Sequence, residues 1–227
     1  MKRYLIIGFF MAIAFVGGFW LTRYIIGNFG DANLDKSQKV WKERIQLLKT
    51  GDIIFQTSNS SQSFAIQEAT KSPYSHMGLI ESIDEELFVL EAVQPVKRSP
   101  LKEWVEGGVE SKYAVKRLRD FSYLSTEKGR DHWDQICESY LGKNYDSQFN
   151  WSDEEMYCSE LVWKVYNQVA GVRIGEPKEL QYFDIQSKSV RDKLVERYGD
   201  SPPINQLIIS PQAIFESPLL VEIESNY

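Results

Sequence analysis

The first part of the chain carries its most apolar segment. Lys2 and Arg3 precede an almost unbroken apolar run over residues 4–21, which Arg23 closes. A run of about 18 apolar residues fits both a membrane-spanning helix and a signal peptide, and it fits a buried core helix poorly because it has no polar face. We therefore expect residues 1–26 to direct export, as an uncleaved anchor or as a cleaved signal. The two N-terminal charges favour an N-terminus that stays inside, which places the rest of the chain in the periplasm or on the outer face of the membrane.

A polar linker over residues 27–35 separates this segment from a chain with regular hydrophobic patterning. Apolar positions beyond the linker recur at helical or alternating spacing, without the strict strand–helix alternation of a parallel α/β sheet. The pattern predicts an α+β domain over residues 36–227. The predicted helices span residues 36–49, 62–69, 100–106, 126–141, 157–170 and 190–198. The predicted strands span residues 52–55, 75–83, 86–93, 113–118, 206–210 and 219–222.

Two adjacent strands, 75–83 and 86–93, are predicted to pair as a hairpin because acidic turn residues lie between them. A turn over residues 82–85 would place Glu81 opposite Glu86 and His76 opposite Glu91. A carboxylate across from an imidazole can accept its N–H, fix its tautomer and stabilise its protonated form. A shift of the register would make Gln94 the alternative partner of His76.

Composition and charge exclude several classes of function. The 227 residues carry a formal net charge of -6, and the isoelectric point is about 5.1. Phosphate binding needs a basic face, so we expect no nucleic-acid partner. Two histidines and two cysteines, with no close ligand pairs, predict no metal site. The sequence contains no Walker or dinucleotide-binding glycine pattern, and we predict no cofactor.

The two cysteines differ in their local context. Cys158 begins the predicted helix 157–170, where unpaired backbone N–H groups and the helix dipole favour a thiolate and can also bind an oxyanion. We expect the preceding loop to leave this thiol accessible. Cys137 lies in the middle of the helix 126–141, as a small buried apolar residue does. An exported chain can also pair its cysteines, so a Cys137–Cys158 disulfide is the alternative.

A thiolate nucleophile needs an acid/base partner, which only two histidines can supply. His76 lies in an apolar strand with Glu91 as its predicted partner. His132 lies among charged residues on what we interpret as a solvated helix face. We therefore predict Cys158 as the nucleophile and His76 as its base. Ser99, just before the helix 100–106, is interpreted as an N-cap.

Several stretches of the chain, in their order, resemble the YiiX/YebB-like hydrolases, a circularly permuted branch of the NlpC papain-like superfamily in which histidine precedes cysteine. The matching stretches are Gly51-Asp52-Ile53-Ile54-Phe55, Ser61-Gln62-Ser63, Tyr74-Ser75-His76, Glu91-Ala92-Val93, Tyr140-Leu141-Gly142-Lys143 with Tyr145-Asp146, Tyr157-Cys158-Ser159-Glu160 and Ser210-Pro211-Gln212-Ala213. The resemblance implies a small, mostly antiparallel sheet or barrel packed on the cysteine-bearing helix. It also implies Cys158, His76 and Glu91 as catalytic residues.

The resulting functional expectation is an exported cysteine amidase or peptidase that acts on a cell-envelope peptide. We expect Tyr157, Tyr74 and Ser159 to contact the substrate or its oxyanion. Two alternatives stay open. A lipid-active thiol acyltransferase or esterase would use the same residues on an acyl-bearing substrate, as relatives of the lecithin-retinol acyltransferase type do, and the N-terminal segment would bring it to a membrane. An envelope binding protein without catalysis would carry the disulfide instead.

Overall fold

A computed structural model describes residues 38–227. The predicted export segment 1–26 and linker 27–35 lie outside the described residues. From residue 38 onward, no helix is both long enough and apolar enough to cross a membrane. The chain divides into two units between Leu47 and Leu48. The described part of the first unit contains helix α1, residues 38–45. The second unit, Leu48–Tyr227, carries the sheet and the candidate site.

The second unit mixes strands and helices as the α+β prediction requires. Its strands are β1 (Ile53–Gln56), β2 (His76–Ile83), β3 (Glu86–Glu91), β4 (Lys97–Pro100), β5 (Ala114–Leu118), β6 (Asn144–Tyr145), β7 (Glu155–Met156), β8 (Lys178–Glu179), β9 (Leu207–Ile208) and β10 (Leu220–Ser225). Its α-helices are α2 (Ser61–Thr70), α3 (Leu101–Glu106), α4 (Glu127–Tyr140), α5 (Cys158–Ala170), α6 (Lys188–Tyr198) and α7 (Pro211–Phe215).

Six strands form one sheet in the order β10-β5-β1-β2-β3-β4. Every neighbouring pair in it is antiparallel. Strand β1 lies inside the sheet, and all four of its residues are buried. A strand covered on both faces reads as a continuous apolar run, which explains why Ile53, Ile54 and Phe55 do not alternate with polar residues.

Helix α5 packs against strand β2 and beside helix α4. Its apolar face buries Leu161, Val162, Val165 and Tyr166. Full burial of an aliphatic side chain of this size stabilises the fold by roughly 1.5–3 kcal/mol. The helix that begins with Cys158 is therefore anchored on the strand that begins with His76, and this packing positions the two side chains.

The predicted antiparallel sheet and the helix that packs on it are confirmed, but strand β4 was not predicted. Its sequence, Lys-Arg-Ser-Pro, lacks an apolar pattern and ends in a proline, which removes a backbone donor and confines such a strand to a sheet edge. Strand β4 is indeed the edge strand next to β3. The interpretation of Ser99 as an N-cap is wrong, because Pro100 occupies the N-cap position of α3 and makes no side-chain cap.

The β2–β3 hairpin is tighter than the sequence predicted. Ile83 pairs with Glu86, and Glu81 pairs with Phe88 instead of Glu86. Only Asp84 and Glu85 form the turn, and both have positive φ, 50° and 67°. Two positive-φ residues match the twist of a two-residue hairpin turn. The predicted turn over residues 82–85 and its register are therefore wrong by two residues.

Candidate active site

His76 and Glu91 are in direct contact despite the changed register. Strand β2 presents His76 at its first residue, and β3 presents Glu91 at its last. His76 Nε2 lies 2.6 Å from Glu91 Oε2. This bond leaves Nδ1 as the ring nitrogen available to Cys158, which lies close enough to raise the pKa of His76. The structure thus brings the three predicted catalytic residues into one chain of contacts.

Gly78 explains how this diagonal contact is possible. The observed pairing of Leu79 with Leu90, continued by one residue, places Gly78 opposite Glu91. His76 projects from the same face two residues earlier. A Cβ atom at Gly78 would lie 2.4 Å from Val89 Cγ1 and 3.5 Å from Glu91 Cβ. The missing side chain therefore leaves room for the carboxylate to reach the imidazole.

Two further side chains, which the sequence did not indicate, hold the carboxylate of Glu91. Ser99 Oγ donates to Glu91 Oε1 at 2.6 Å, and Trp104 Nε1 donates to Oε2 at 2.9 Å. The Trp104 ring also stacks on His76, with centroids 5.7 Å apart. Strand β4 and helix α3 therefore fix the orientation of the Glu91–His76 pair. Each hydrogen bond to a charged group contributes about 1.5–3 kcal/mol.

The electrostatics of this group favour a protonated His76. Burial lowers the pKa of His76, but hydrogen bonds and charge interactions with Cys158 and Glu91 outweigh it and raise the pKa to about 10. Burial also opposes ionisation of Glu91, yet the hydrogen bond and the charge of His76, with the Ser99 and Trp104 donors, lower its pKa. The carboxylate therefore stays ionised and stabilises an imidazolium beside the thiol.

Cys158 occupies the first residue of α5, with Tyr157 as N-cap. Its backbone N–H is one of the helix N-terminal donors that have no partner within the helix. The side chain is only 4% exposed. The predicted accessibility is therefore limited to the cavity that the thiol lines. Cys137 is fully buried on α4. Both thiols are free, so the structure lacks the alternative Cys137–Cys158 disulfide.

The three candidates for substrate or oxyanion contact have other partners. The hydroxyl of Tyr157 accepts a hydrogen bond from the Ile209 N–H at 3.2 Å. Ser159 Oγ donates to the Ile209 carbonyl at 2.8 Å. These two bonds attach the start of α5 to the segment after β9. Tyr74 packs between Phe55 and Phe215 in an aromatic cluster. Tyr157 and Ser159 also line the cavity that contains Cys158, so a contact with the substrate stays a prediction for them.

Gln62 and Tyr145, which belong to the stretches that resemble the family, line the cavity that contains Cys158. Gln62, in the first turn of α2, donates from Nε2 to the Tyr145 hydroxyl at 2.6 Å. Burial, followed by the charge of Cys158, raises the pKa of the Tyr145 hydroxyl. Gln94 accepts from the Tyr145 N–H at 2.7 Å. Gln94 thus holds β6 in place, and Glu91 is the residue that contacts His76.

Two cavities meet at this site and share Gln62, Ile66 and Tyr145 in their walls. The apolar cavity, about 90 Å³, contains Cys158 and is lined largely by aliphatic and aromatic side chains of α2, α6 and the segments after β8 and β9. Lys193 and Arg197 also line it. The polar cavity, about 520 Å³, contains His76 and serine and glutamine side chains. The dyad therefore lies between an apolar and a polar compartment.

His132, the other histidine, lies outside both cavities. It is half-buried on α4, so the helix face that was predicted to be solvated is only partly exposed at this residue. Its ring meets Tyr123 edge-on, with centroids 6.3 Å apart. Over residues 38–227, no group of three or more His, Cys, Asp or Glu side chains is arranged to hold a metal ion.

Comparisons with known proteins identify relatives over most of the chain. The model of the permuted papain-like amidase family, YaeF/YiiX or C92, matches residues 47–223. YiiX of Escherichia coli K12 is 46% identical over 179 residues, which cover 79% of this chain and 87% of YiiX. A crystal structure described as the metalloprotein YiiX of Escherichia coli O157:H7 superposes with a TM-score of 0.74 at 44% identity. It covers 79% of this chain and 98% of that one.

The family match spans the strand that bears His76, the carboxylate of Glu91 and the helix that begins at Cys158, so the residues that the sequence picked out lie within it. With both the matched length and the identity to YiiX this high, the chain belongs to the family of permuted papain-like amidases.

Proposed function

We propose that the protein is a thiol amidase with Cys158 as nucleophile, His76 as acid and base, and Glu91 as the residue that orients His76. One observation carries the proposal. The cysteine lies at a helix N-terminus close enough to an imidazole to raise its pKa, and a carboxylate oxygen 2.6 Å from Nε2 holds that ring nitrogen. Nucleophile, base and orienting group in such a chain are the arrangement that acyl transfer through a thioester requires.

The reaction follows from these roles. The Cys158 thiolate attacks the amide carbonyl carbon, and a sulfur–carbon bond forms while the carbonyl electrons move onto oxygen. The Cys158 N–H, at the start of α5, and the Tyr145 hydroxyl, in the wall of the same cavity, are the donors proposed to stabilise that oxyanion. The carbon–nitrogen bond then breaks as His76 gives its proton to the leaving nitrogen. Water attacks the thioester, loses a proton to His76 and releases the acid and the thiolate.

The size of the apolar cavity limits which substrates the site can hold. An engineered protein cavity of about 150 Å³ holds one benzene molecule. At about 90 Å³, the cavity beside Cys158 fits a short apolar group, such as an aliphatic side chain or a short acyl chain. This size favours an amide of a small peptide, for which the cell envelope is the proposed source, over a long-chain lipid.

A lipid-active thiol acyltransferase or esterase is the second candidate, and the apolar lining of the same cavity favours it. The two candidates differ in what the cavity must hold. A lipid enzyme would have to open the cavity to take a long chain, whereas the amidase uses it as it stands. Each methylene that a hydrophobic pocket gains or loses changes specificity about 10–200-fold, so the length of the acyl group distinguishes the two.

Activated esters test both candidates at the thiol. The full-length protein incubated with p-nitrophenyl butanoate is expected to gain a butanoyl group on the peptide that contains Cys158, detected by mass spectrometry. The decanoate should acylate it at least about tenfold more slowly. A Cys137→Ser control should acylate like the wild type, and Cys158→Ser should lose the label. Faster acylation by decanoate would favour the lipid enzyme, and unlabelled Cys158 would remove both candidates.

We also propose that residues 4–21 export the protein and that an uncleaved segment holds it at the membrane. The apolar run between Lys2 and Arg23 supports this proposal. In cells that make the full chain, the domain should be accessible to protease added outside the inner membrane, and deletion of residues 4–21 should abolish that accessibility. The mass of the recovered chain distinguishes a cleaved signal from an anchor. A full chain protected like the deletion variant would contradict export.

A further inference from the structure

Most residues that line the polar cavity beside His76 have no role in the proposed reaction. Its volume is about 520 Å³, within the ~300–1,000 Å³ range of ligand-binding pockets. Eight of its twelve lining residues carry a hydroxyl or an amide group, and the others are His76 and three apolar residues. Among the residues that the structure describes, the lining contains no Asp, Glu, Lys or Arg. His76 is the one titratable side chain of that lining besides the Tyr145 hydroxyl.

The proposed mechanism assigns one half of the substrate to each cavity. The acyl carbon must bond to Cys158, which lines the apolar cavity. The leaving nitrogen must receive its proton from His76, which lines the polar cavity. Since a proton donor has to lie within hydrogen-bond reach of the atom that it protonates, the amine half of the substrate occupies the His76 side. The acyl half then extends to the Cys158 side.

Hydroxyl groups in the polar cavity are available for a ligand. Within the described part of the chain, Ser58 Oγ and Ser147 Oγ make no hydrogen bond, whereas Ser63 and Ser75 bond to each other. A serine hydroxyl can both donate and accept. It therefore suits ligand hydroxyls and amides, which do the same. The one side chain of the lining that carries a charge, His76, is already paired with Glu91. A charged ligand group would therefore lose its hydration there without gaining an ion-pair partner of its own.

We propose that the polar cavity binds the amine half of the substrate and selects an uncharged amine that carries hydroxyl or amide groups. This inference rests on the proposed thiol amidase. It assigns the substrate class as an amide that joins a short apolar acyl group to a neutral, hydrogen-bonding amine, such as an amino alcohol or an amino acid whose carboxylate is masked as an amide. Amines that bear a free carboxylate or a second ammonium group are disfavoured.

Interception of the acyl-enzyme tests this assignment separately from acylation. An added amine that occupies the leaving-group side attacks the Cys158 thioester, gives a proton to His76 and forms an amide as the thiolate departs. With p-nitrophenyl butanoate as acyl donor, the ratio of butanamide to butanoic acid reports the binding of each amine. The amines are serinol, glycinamide, glycine, 1,3-diaminopropane and butylamine, each corrected for its unprotonated fraction.

Serinol and glycinamide are expected to give amide-to-acid ratios about fivefold above those of the other three amines, as one or two hydrogen bonds would provide. A ratio is independent of how fast the enzyme is acylated. Equal ratios for all five amines, or higher ratios for the charged amines or for butylamine, would overturn the inference while leaving the amidase intact. Absence of any acyl-enzyme would instead remove the proposed function and this inference with it.

A charge placed on the wall supplies a second test. Ser147 is exposed at the edge of the cavity, so a substitution there is compatible with folding. Ser147→Asp should raise the ratio for 1,3-diaminopropane relative to serinol by about fivefold, the upper range for an exposed ion pair. The matched variant Ser147→Asn has the size of Asp without its charge, and a shift in it equal to that of Ser147→Asp would overturn the inference. An unchanged ratio in Ser147→Asp would place the amine outside this cavity and overturn the inference.

Discussion

Replacement of His76 by Ala is expected to lower turnover about 10²–10⁴-fold, the usual contribution of general acid–base catalysis. His132→Ala should retain activity within about twofold, since that half-buried residue contacts Tyr123 and lines neither cavity. The assay measures initial rates of hydrolysis of an N-butanoyl amide, with serinol as the amine. Thermal unfolding of both variants verifies that each is folded at the assay temperature. Equal losses in the two folded variants would reject His76 as the acid and base.

Glu91→Gln should lower turnover less than His76→Ala does. The amide oxygen can still accept the N–H of His76, and its NH₂ group can face Ser99, whose hydroxyl changes from donor to acceptor. The charge that stabilises the imidazolium is lost, however, so the pKa of His76 should fall. The variant should therefore show a lower pH for the alkaline decline of turnover. Activity equal to that of the wild type would mean that another residue orients His76.

The sequence predicted the parts of this site that depend on local signals. Cys158 could be placed at a helix start because an apolar helical pattern begins there, and Gly171 ends it with positive φ, 65°. The partner carboxylate was identified for the wrong reason, since the hairpin register was off by two residues. Glu91 still reaches His76 because the contact runs diagonally past Gly78. Diagonal neighbours in a sheet remain within reach of long side chains.

Other parts of the site depend on contacts between distant segments, which periodicity does not encode. Ser99 and Trp104 hold Glu91 from an edge strand without apolar alternation and from a short helix. Gln62 and Tyr145 meet across 83 positions of the chain. The apolar cavity depends on how α6 packs against α2. Tyr74 packs in an aromatic cluster, and an aromatic residue two positions from a histidine suits both a site and a core, so the sequence alone does not decide its role.

The two thiols should differ strongly in reactivity. Without prior reductant and near pH 6, iodoacetamide should label Cys158 at least about 10²-fold faster than Cys137, because the thiolate is the reactive form and an ordinary thiol of pKa ~8.5 is almost fully protonated there. Burial, followed by the charge and hydrogen bond of Glu81, raises the pKa of Cys137 far above that value. Cys158 is only 4% exposed, but it lines a cavity that a small neutral reagent can enter. Timed alkylation, digestion and peptide mass spectrometry give both rates.

The pH profile of this labelling identifies the cause. The pKa of His76 is raised from 6.5 to about 10, so the imidazolium beside the thiol persists from below pH 6.5 and loses its proton only as the pH rises through about 10. The charge of His76 should therefore favour labelling of Cys158 at every pH from 6 to 8. In His76→Ala, labelling should slow over this whole range, because the stabilising charge is gone. The same linkage predicts that protonated His76 stabilises the fold fully below pH 6.5 and that this contribution to the free energy of unfolding disappears as the pH rises through about 10.

A Cys137–Cys158 crosslinked peptide in unreduced protein, with neither residue alkylated, would contradict the thiolate–imidazolium pair and leave a binding domain without catalysis.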